Sequence, residues 1–425
     1  MKNNTLFSKN FLFVIIGQII SLFGNQILRY ALPLYLLSET GSSTLFGTIS
    51  ACSFIPMLLL FPIGGIITDR VNKRNIMVLL DFATSLLTIL FLILESKINM
   101  ILLVGIMMML LYGIQGIYQP AVNASVPILV DKKDMMQANS IINVISSLAN
   151  MLGPVIGGIL FSLLGLTPIL YISAICFFLS AVIELFISMP FEEKHRTANI
   201  FGTAFMDLKK SFQFITKEQP IIWKLSAIYA STCFLLSSLV IISVPVLVTQ
   251  YLGFPPNTAN KLYGYAQGII AIGSILGGLL AGLLSKKVGP NSMPFLIIGC
   301  GFSMILGGIG LQMFTSSMVV YLFLVVGCGF LMLLSSFFQI QMMSYVQMLT
   351  PKEQIGKVIS CVICICMCAN PIGTFLYGIL FDNIGNHLYF PFYIAPIIIL
   401  GIVFFLRNTF CDMARQIKNT GASII

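Results

Sequence analysis

The sequence predicts an all-α integral membrane protein of twelve spanning helices in two six-helix halves, and three observations carry that reading. Charged residues make up 9% of a 425-residue chain that is 58% hydrophobic, whereas ordinary globular domains carry about 25%. Apolar stretches of the roughly 20 residues needed to cross about 30 Å of hydrocarbon recur along its whole length. The connections between them are short, polar and rich in turn residues. A chain with a mean hydropathy of +0.99 lacks the polar surface to enclose a water-soluble body of 46.7 kDa. A cytosolic enzyme, a nucleic-acid-binding protein and a secreted disulfide scaffold are thereby excluded.

Taken in order, the apolar segments begin near Phe11, Leu45, Asn75, Met100, Ala138, Pro168, Ile221, Ala259, Met293, Met318, Val358 and Leu388. The first follows Lys2 and Lys9 and shows no small-residue cleavage pattern, so it reads as an uncleaved helix rather than a signal peptide. The connections "SETGSST", "DRVNKR", "DKKDMMQ", "YLGFPPNTANK", "SKKVGP" and "TPKEQIGK" hold the charges and turn signals. The resulting division is an N-terminal bundle at 1–189, a linker at 190–220, a C-terminal bundle at 221–406 and a tail at 407–425.

Alternate connections carry the basic residues. With the N-terminus inside, 20 of the 23 Lys and Arg lie on the inner side, and the positive-inside rule then sets both termini in the cytoplasm. Only Lys97 and Lys261 fall outside, and Arg29 falls within a helix. The net charge of +9 therefore reflects orientation and contact with anionic lipid, not a nucleic-acid partner. In the linker, Phe201, Phe205, Leu208, Phe212 and Ile215 recur at helical spacing away from Lys209, Lys210 and Lys217, which predicts an amphipathic helix on the inner membrane surface.

Most of the ten cysteines lie in apolar runs, as small packing residues do. Cys361, Cys364 and Cys368 share a helix face, but no His or carboxylate stands beside them, so packing is expected rather than a metal site. No cofactor is expected.

The halves repeat each other. "GILFSLLG" from Gly158 matches "GILFDNIG" from Gly378 at an offset of 220 residues, and "GIITDRVNK" from Gly65 has a weaker counterpart in "GLLSKKVGP" from Gly282 at an offset of 217. Repeated bundles of this kind are how many secondary transporters build a site at the membrane midplane.

Polar residues inside the apolar segments mark where water or a solute passes. In the first segment Gln18, Ser21, Asn25 and Arg29 fall within an arc of about 80° at 100° per residue. In the fourth, Tyr112, Gln115, Gln119 and Asn123 repeat the same spacing. Neither stripe is stable against lipid. Tyr229, Thr232, Gln339 and Tyr345 are the corresponding candidates in the second half. Three charges lie deep in helices: Arg29, Asp81 and Glu184. At 1.5 Å per residue Asp81 is about 10 Å from Arg74, and Glu184 about 12 Å from Glu192. A carboxyl group in so apolar a setting is suited to taking up and releasing a proton, or else it is held in a structural pair. Arg29 either completes the cavity stripe or extends its head toward the interface.

"GGIITDRVNKRNIM" resembles the signature between the second and third helices of the major facilitator superfamily, with Gly65, Asp69, Arg70, Lys73 and Arg74 in register. Asn72 stands where that family usually has a second glycine. "LGPVIGG", with Gly153, Pro154, Gly157 and Gly158, resembles the motif of the drug-antiporter branch. "GQIISLFGNQ", "QPAVNASVPILV" and "NPIGTFLYGILFDNIG" are similar to the macrolide-efflux-like group. The resemblance implies the major facilitator fold and a central cavity lined by helices 1, 4, 7 and 10. It also implies a gating role for the Asp69 loop, against the start of helix 11 near Gly356 to Val358, and packing at Gly153 to Gly158 that keeps an antiporter leak-tight. The family often has Arg-x-x-Gln-Gly in helix 4; here Tyr112, Gly113, Ile114, Gln115 and Gly116 stand there, and Arg29 on the facing helix is the expected substitute for the missing cation.

The function expected on these grounds is proton-coupled efflux of an amphipathic or hydrophobic small molecule by a monomeric, multi-pass protein of the cell membrane. The alternative is an exporter or flippase of one physiological solute, such as a siderophore, a lysophospholipid or a peptide metabolite. A non-transporting sensor or a channel is the competitor of another class. An intramembrane enzyme is disfavoured, because His195 and His387 are the only histidines and no H-E-x-x-H or G-x-S-x-G pattern occurs. An ATP-driven pump is excluded within this chain by the lack of G-x-x-x-x-G-K-[ST].

Overall fold

The computed structural model describes residues 8–130, 135–189, 212–284, 289, 292–350, 355–385, 387–406, 410 and 412, and within them every regular element is a helix. We number the helices α1 Lys9–Thr40, α2 Ser43–Arg70, α3 Lys73–Leu94, α4 Met100–Leu129, α5 Met135–Leu164, α6 Leu166–Leu185, α7 Pro220–Tyr251, α8 Pro256–Leu284, α9 Met293–Met313, α10 Ser317–Leu349, α11 Ile355–Asn383 and α12 Phe390–Phe405. Among the described residues, α1 to α11 each contain a stretch long and apolar enough to cross a membrane, while α12 is apolar but has 16 residues. Side chains such as Leu79, Leu283, Phe295 and Phe405 stand exposed, as expected of surfaces whose solvent is lipid.

Local chemistry sets several helix ends. Ser8 Oγ accepts from the Phe11 amide at 3.4 Å, and Gly41, at φ 65°, closes α1 by donating to the Leu37 carbonyl at 2.9 Å, the left-handed C-cap that glycine adopts without strain. Asn72 caps α3: its Oδ1 accepts from the Arg74 amide at 3.1 Å. The departure from the family glycine therefore has a structural use, because Asn is among the best N-cap residues.

The chain packs as two units. Unit 1 is Met1–Gly41, Ile49–Ala204 and Pro256–Tyr265; unit 2 is Ser42–Thr48, Phe205–Pro255 and Ala266–Ile425. Within unit 1, α1 lies against α4, α5 and α6, and α3 against α4 and α6. Its core gathers Phe11, Val14, Ile76, Met77, Tyr118, Val122 and Ile187. Within unit 2, α9 packs on α10 and α12, and α7 on α11. Two stretches of α7, Cys233–Ser237 and Leu247–Tyr251, are wound as π-helix. There the Tyr377 hydroxyl donates to the Leu235 carbonyl at 2.8 Å, and Ser238 Oγ donates to the Cys233 and Asn370 carbonyls, each at 3.1 Å. Carbonyls that a π-turn withdraws from the regular ladder thus find side-chain donors.

The repeated "GILF" segments lie where helix backbones touch. In unit 1, a Cβ on Gly158 of α5 would stand 2.8 Å from the Asn260 carbonyl and 3.0 Å from the Gly264 Cα. In unit 2, a Cβ on Gly47 would stand 2.6 Å from the Thr374 carbonyl and 3.1 Å from the Gly378 Cα of α11. A turn beyond each contact a polar group is engaged. Ser162 Oγ donates to the Asn257 carbonyl at 2.7 Å. The Asp382 carboxylate accepts from Ser42 Oγ at 2.9 Å and from the amides of Ser43 at 2.7 Å and Thr44 at 2.9 Å. That carboxylate caps the first turn of α2, where free amides and the helix dipole both favour an anion.

Candidate functional site

Unit 1 holds a polar cluster inside its bundle. Ser21 Oγ of α1 donates to Asp81 Oδ1 of α3 at 2.9 Å, and the Tyr118 hydroxyl of α4 donates to Glu184 Oε1 of α6 at 2.7 Å. Ser180, one turn before Glu184, donates to the Gly17 carbonyl at 2.8 Å. Gly17 lies tight against this group: a Cβ there would meet Glu184 Cγ at 3.0 Å and Glu184 Oε1 at 3.1 Å. Asp81 is 2% exposed and Glu184 0%. Among the described residues neither carboxylate is within salt-bridge distance of a Lys, Arg or His. Asp81 Oδ2, Glu184 Oε2 and both amide atoms of Gln18, which is fully buried on α1, have no hydrogen-bond partner. Buried polar atoms normally are paired, so four such atoms on three adjoining helices mark a site with unused capacity.

The predicted stripe on α1 is thus divided. Its inner part, Gln18 and Ser21, is turned into this buried cluster. Its outer part faces α4: the Arg29 guanidinium lies over the Tyr112 ring, 3.5 Å from the centroid, and Arg29 Nη1 donates to Gln115 Oε1. The Tyr112 ring in turn meets Phe54 edge-on, with centroids 5.0 Å apart. Asn25 lies between the two parts, with a buried Oδ1 that has no partner. Gln119 donates to Asn123 at 3.2 Å on the exposed side of α4.

In unit 2, Tyr229 is buried with its ring 5.9 Å from that of Phe338. Thr232 is buried and donates back to the Ile228 carbonyl at 3.0 Å, Tyr345 is buried, and Gln339 is exposed. No described contact brings these four together.

The side chains of Asp69 and Arg70, Gly65, positions 356 and 357 at the start of α11, and the linker positions Phe201, Phe205 and Leu208 lie outside the residues described in that detail, while Val358 is buried. Of the loop motif, Arg74 is described: it donates to the Leu185 carbonyl at the end of α6, a favourable place for a cation. A polar recess of about 330 Å³ opens there between Asn72, Arg74 and residues 185–189. In the α5 motif, a Cβ on Gly153 would lie 2.5 Å from Gln26 Cβ, and one on Gly157 would lie 3.1 Å from the Tyr30 ring, so both glycines let α5 approach α1 closely. Pro154 lies within the same helix.

Sequence reasoning missed Tyr118 and Ser180. Ser180 was accessible to it, being four residues before Glu184 on one helix face. Tyr118 falls between Gln115 and Gln119 of the stripe, and only its hydrogen bond to Glu184 of α6 shows that it turns the other way.

Helices of this length and composition, in two bundles with charged and amide groups held inside, define a multi-pass membrane transporter. The chain belongs to the Major Facilitator Superfamily, whose family model matches residues 14–362. It is 23% identical over 409 residues to macrolide efflux protein A of Streptococcus pyogenes, covering 95% of both chains. It is 24% identical over 404 residues to the staphyloferrin A transporter of Staphylococcus aureus, covering 94% of this chain and 96% of that one. A crystal structure of the peptide transporter POT superposes with a TM-score of 0.74 at 12% identity, over 96% of this chain and 95% of that one; at this identity the likeness is one of fold.

Proposed function

We propose that the protein exports an amphipathic small molecule across the cell membrane in exchange for protons, by alternating access, with Asp81 and Glu184 as the proton-carrying groups. The observation that carries this reading is the pair of buried carboxylates with no basic partner among the described residues. Two buried carboxylates without counter-charge are costly, and a proton is the smallest species that relieves the cost. Ser21 and Tyr118 keep one oxygen of each group oriented, which leaves the second oxygen free to take up and release that proton. The loop of Gly65, Asp69, Arg70, Lys73 and Arg74 acts as the inner gate in this scheme, with Arg74 anchored on α6. The glycines of α5 keep the helices close enough to exclude leakage. The protein acts as a monomer surrounded by lipid.

Similarity to the macrolide efflux protein favours a drug-like substrate and antiport. A second reading, export of one physiological solute, is favoured by similarity to the staphyloferrin A transporter at the same level of identity. Transport into inverted vesicles under an imposed pH gradient, with a panel of macrolides, dyes and lipids, tests the proposal. Uptake that collapses with a protonophore supports it; flux indifferent to the gradient defeats it.

A further inference from the structure

The Arg29 site differs from the carboxylate cluster in what it lacks. Its guanidinium presents five N–H donors, of which one is given to Gln115, while its face rests on Tyr112. Arg29 has no ion pair among the described residues. The sequence of the surrounding helices explains why: α4 and α5 contain no Asp or Glu at all. Glu39, the acidic residue that α1 itself carries, is ten positions further on, about 15 Å along the axis. A cation kept at such depth is expensive without counter-charge. Arg29 is half-buried, and the Tyr112 ring under its guanidinium meets Phe54 edge-on, so the two rings form an apolar shelf beside the charge.

We infer that the anion missing from this site is part of the transported molecule: a carboxylate on an apolar or aromatic body, held by the Arg29 fork with the body lying along Tyr112 and Phe54. A planar guanidinium matches a carboxylate with two parallel hydrogen bonds. Gln115 and Tyr112 hold the guanidinium in place before the ligand arrives, so little side-chain freedom is lost on binding. A cationic amphiphile at the same place meets like charge and is rejected. The inference deepens the proposed export function by naming the substrate class, and it rests on that reading for the direction of transport only.

The test uses three probes with one fluorophore and different heads: dansylglycine (carboxylate), dansylamide (neutral) and dansylcadaverine (ammonium). Each is titrated against the full-length protein in phosphatidylcholine nanodiscs, with empty nanodiscs subtracted. The wild-type chain should bind dansylglycine at least about tenfold more tightly than dansylcadaverine. Arg29→Gln should lose on the order of tenfold for dansylglycine and leave dansylamide within about twofold, and Arg29→Lys should recover part of the loss. An unchanged thermal unfolding profile shows that the variants are folded. Equal or tighter binding of the ammonium probe, unchanged dansylglycine affinity in Arg29→Gln, or no saturable dansylglycine binding by the wild-type chain overturns the inference. Vesicle transport separates the two readings. If a pH gradient drives the neutral or ammonium probe undiminished through Arg29→Gln, export stands and the carboxylate inference falls. If dansylglycine binds through Arg29 and no gradient moves it, the inference stands and export falls.

Discussion

The Tyr118 hydroxyl donates to Glu184 Oε1 at 2.7 Å and so joins α4 to α6 in the interior of unit 1. On the other side of the same cluster, Ser21 makes the equivalent bond to Asp81. Each carboxylate is thus held by one neutral hydroxyl and keeps one oxygen unused, an arrangement that positions the group without supplying a charge to hold it ionised.

Removing either titratable group should therefore uncouple transport before it unfolds the protein. Asp81→Asn and Glu184→Gln keep the shape and an acceptor for the neighbouring hydroxyl. Proton-driven uptake into inverted vesicles is expected to fall at least about tenfold in each, comparable to the loss of a proton-transfer group elsewhere. Exchange of labelled for unlabelled substrate without a gradient should persist. Loss of exchange together with driven uptake would assign the carboxylates to substrate binding or to folding.

Gly153 tests the packing of α5 on α1. A methyl group at this position would lie 2.5 Å from Gln26 Cβ, an atom that cannot swing away as a side-chain tip can. Gly153→Ala should cost about 1 to 3 kcal/mol by overpacking, seen as a lowered midpoint of thermal unfolding in detergent. Alanine at Gly282, where nothing lies within 4 Å, is the control and should leave the midpoint unchanged. Equal midpoints for the two variants would mean that α5 stands further from α1 than the geometry here requires.

Asp382 should hold the start of α2. Asp382→Ala removes the acceptor of three hydrogen bonds, and loss of a helix cap costs about 0.5 to 2 kcal/mol. Labelling of a cysteine introduced at Ser43, which is 1% exposed, by a membrane-impermeant maleimide added from outside reports the fraying directly. The rate should rise several-fold in the Asp382→Ala background. An unchanged rate would mean that the first turn of α2 is kept by packing on α11 alone.

Asn72 separates cap from loop. Asn72→Ala should lower the unfolding midpoint by the equivalent of about 1 kcal/mol, and Asn72→Gly by only a few tenths, following the ranking of N-cap residues. Were glycine the worse of the two, the residue would matter for something other than the α3 amides.

The helices were legible from the sequence to within three residues at every start, because a span of hydrocarbon demands a long apolar run and the loops concentrate the charges. Arg29, Tyr112 and Gln115 were legible as stripes, since helical periodicity survives in sequence, and the structure brings the three together. The Asp81 and Glu184 cluster was legible only as two isolated carboxylates. Its assembly depends on which faces of α1, α3, α4 and α6 meet, and a single chain does not record that. The π-turns of α7 had no local mark either: Cys233–Ser237 and Leu247–Tyr251 contain neither glycine nor proline, and the partners of the first, Tyr377 and Asn370, are more than a hundred residues away.

The glycine contacts that recur in the two halves bear on how such a chain drifts. Gly158 and Gly378 occupy corresponding places in the repeat, as do Gly47 and Gly264, and at each a methyl group would stand 3.1 Å or less from the main chain of another helix. Lipid-facing positions can exchange one apolar residue for another at little cost, so two such halves need not match there. Positions where main chain meets main chain lack that latitude, and there the two halves do match. The polar residue a turn beyond each contact is under no such constraint: one half has serine at position 162 and the other aspartate at position 382, so only the second carries a charge at its corner.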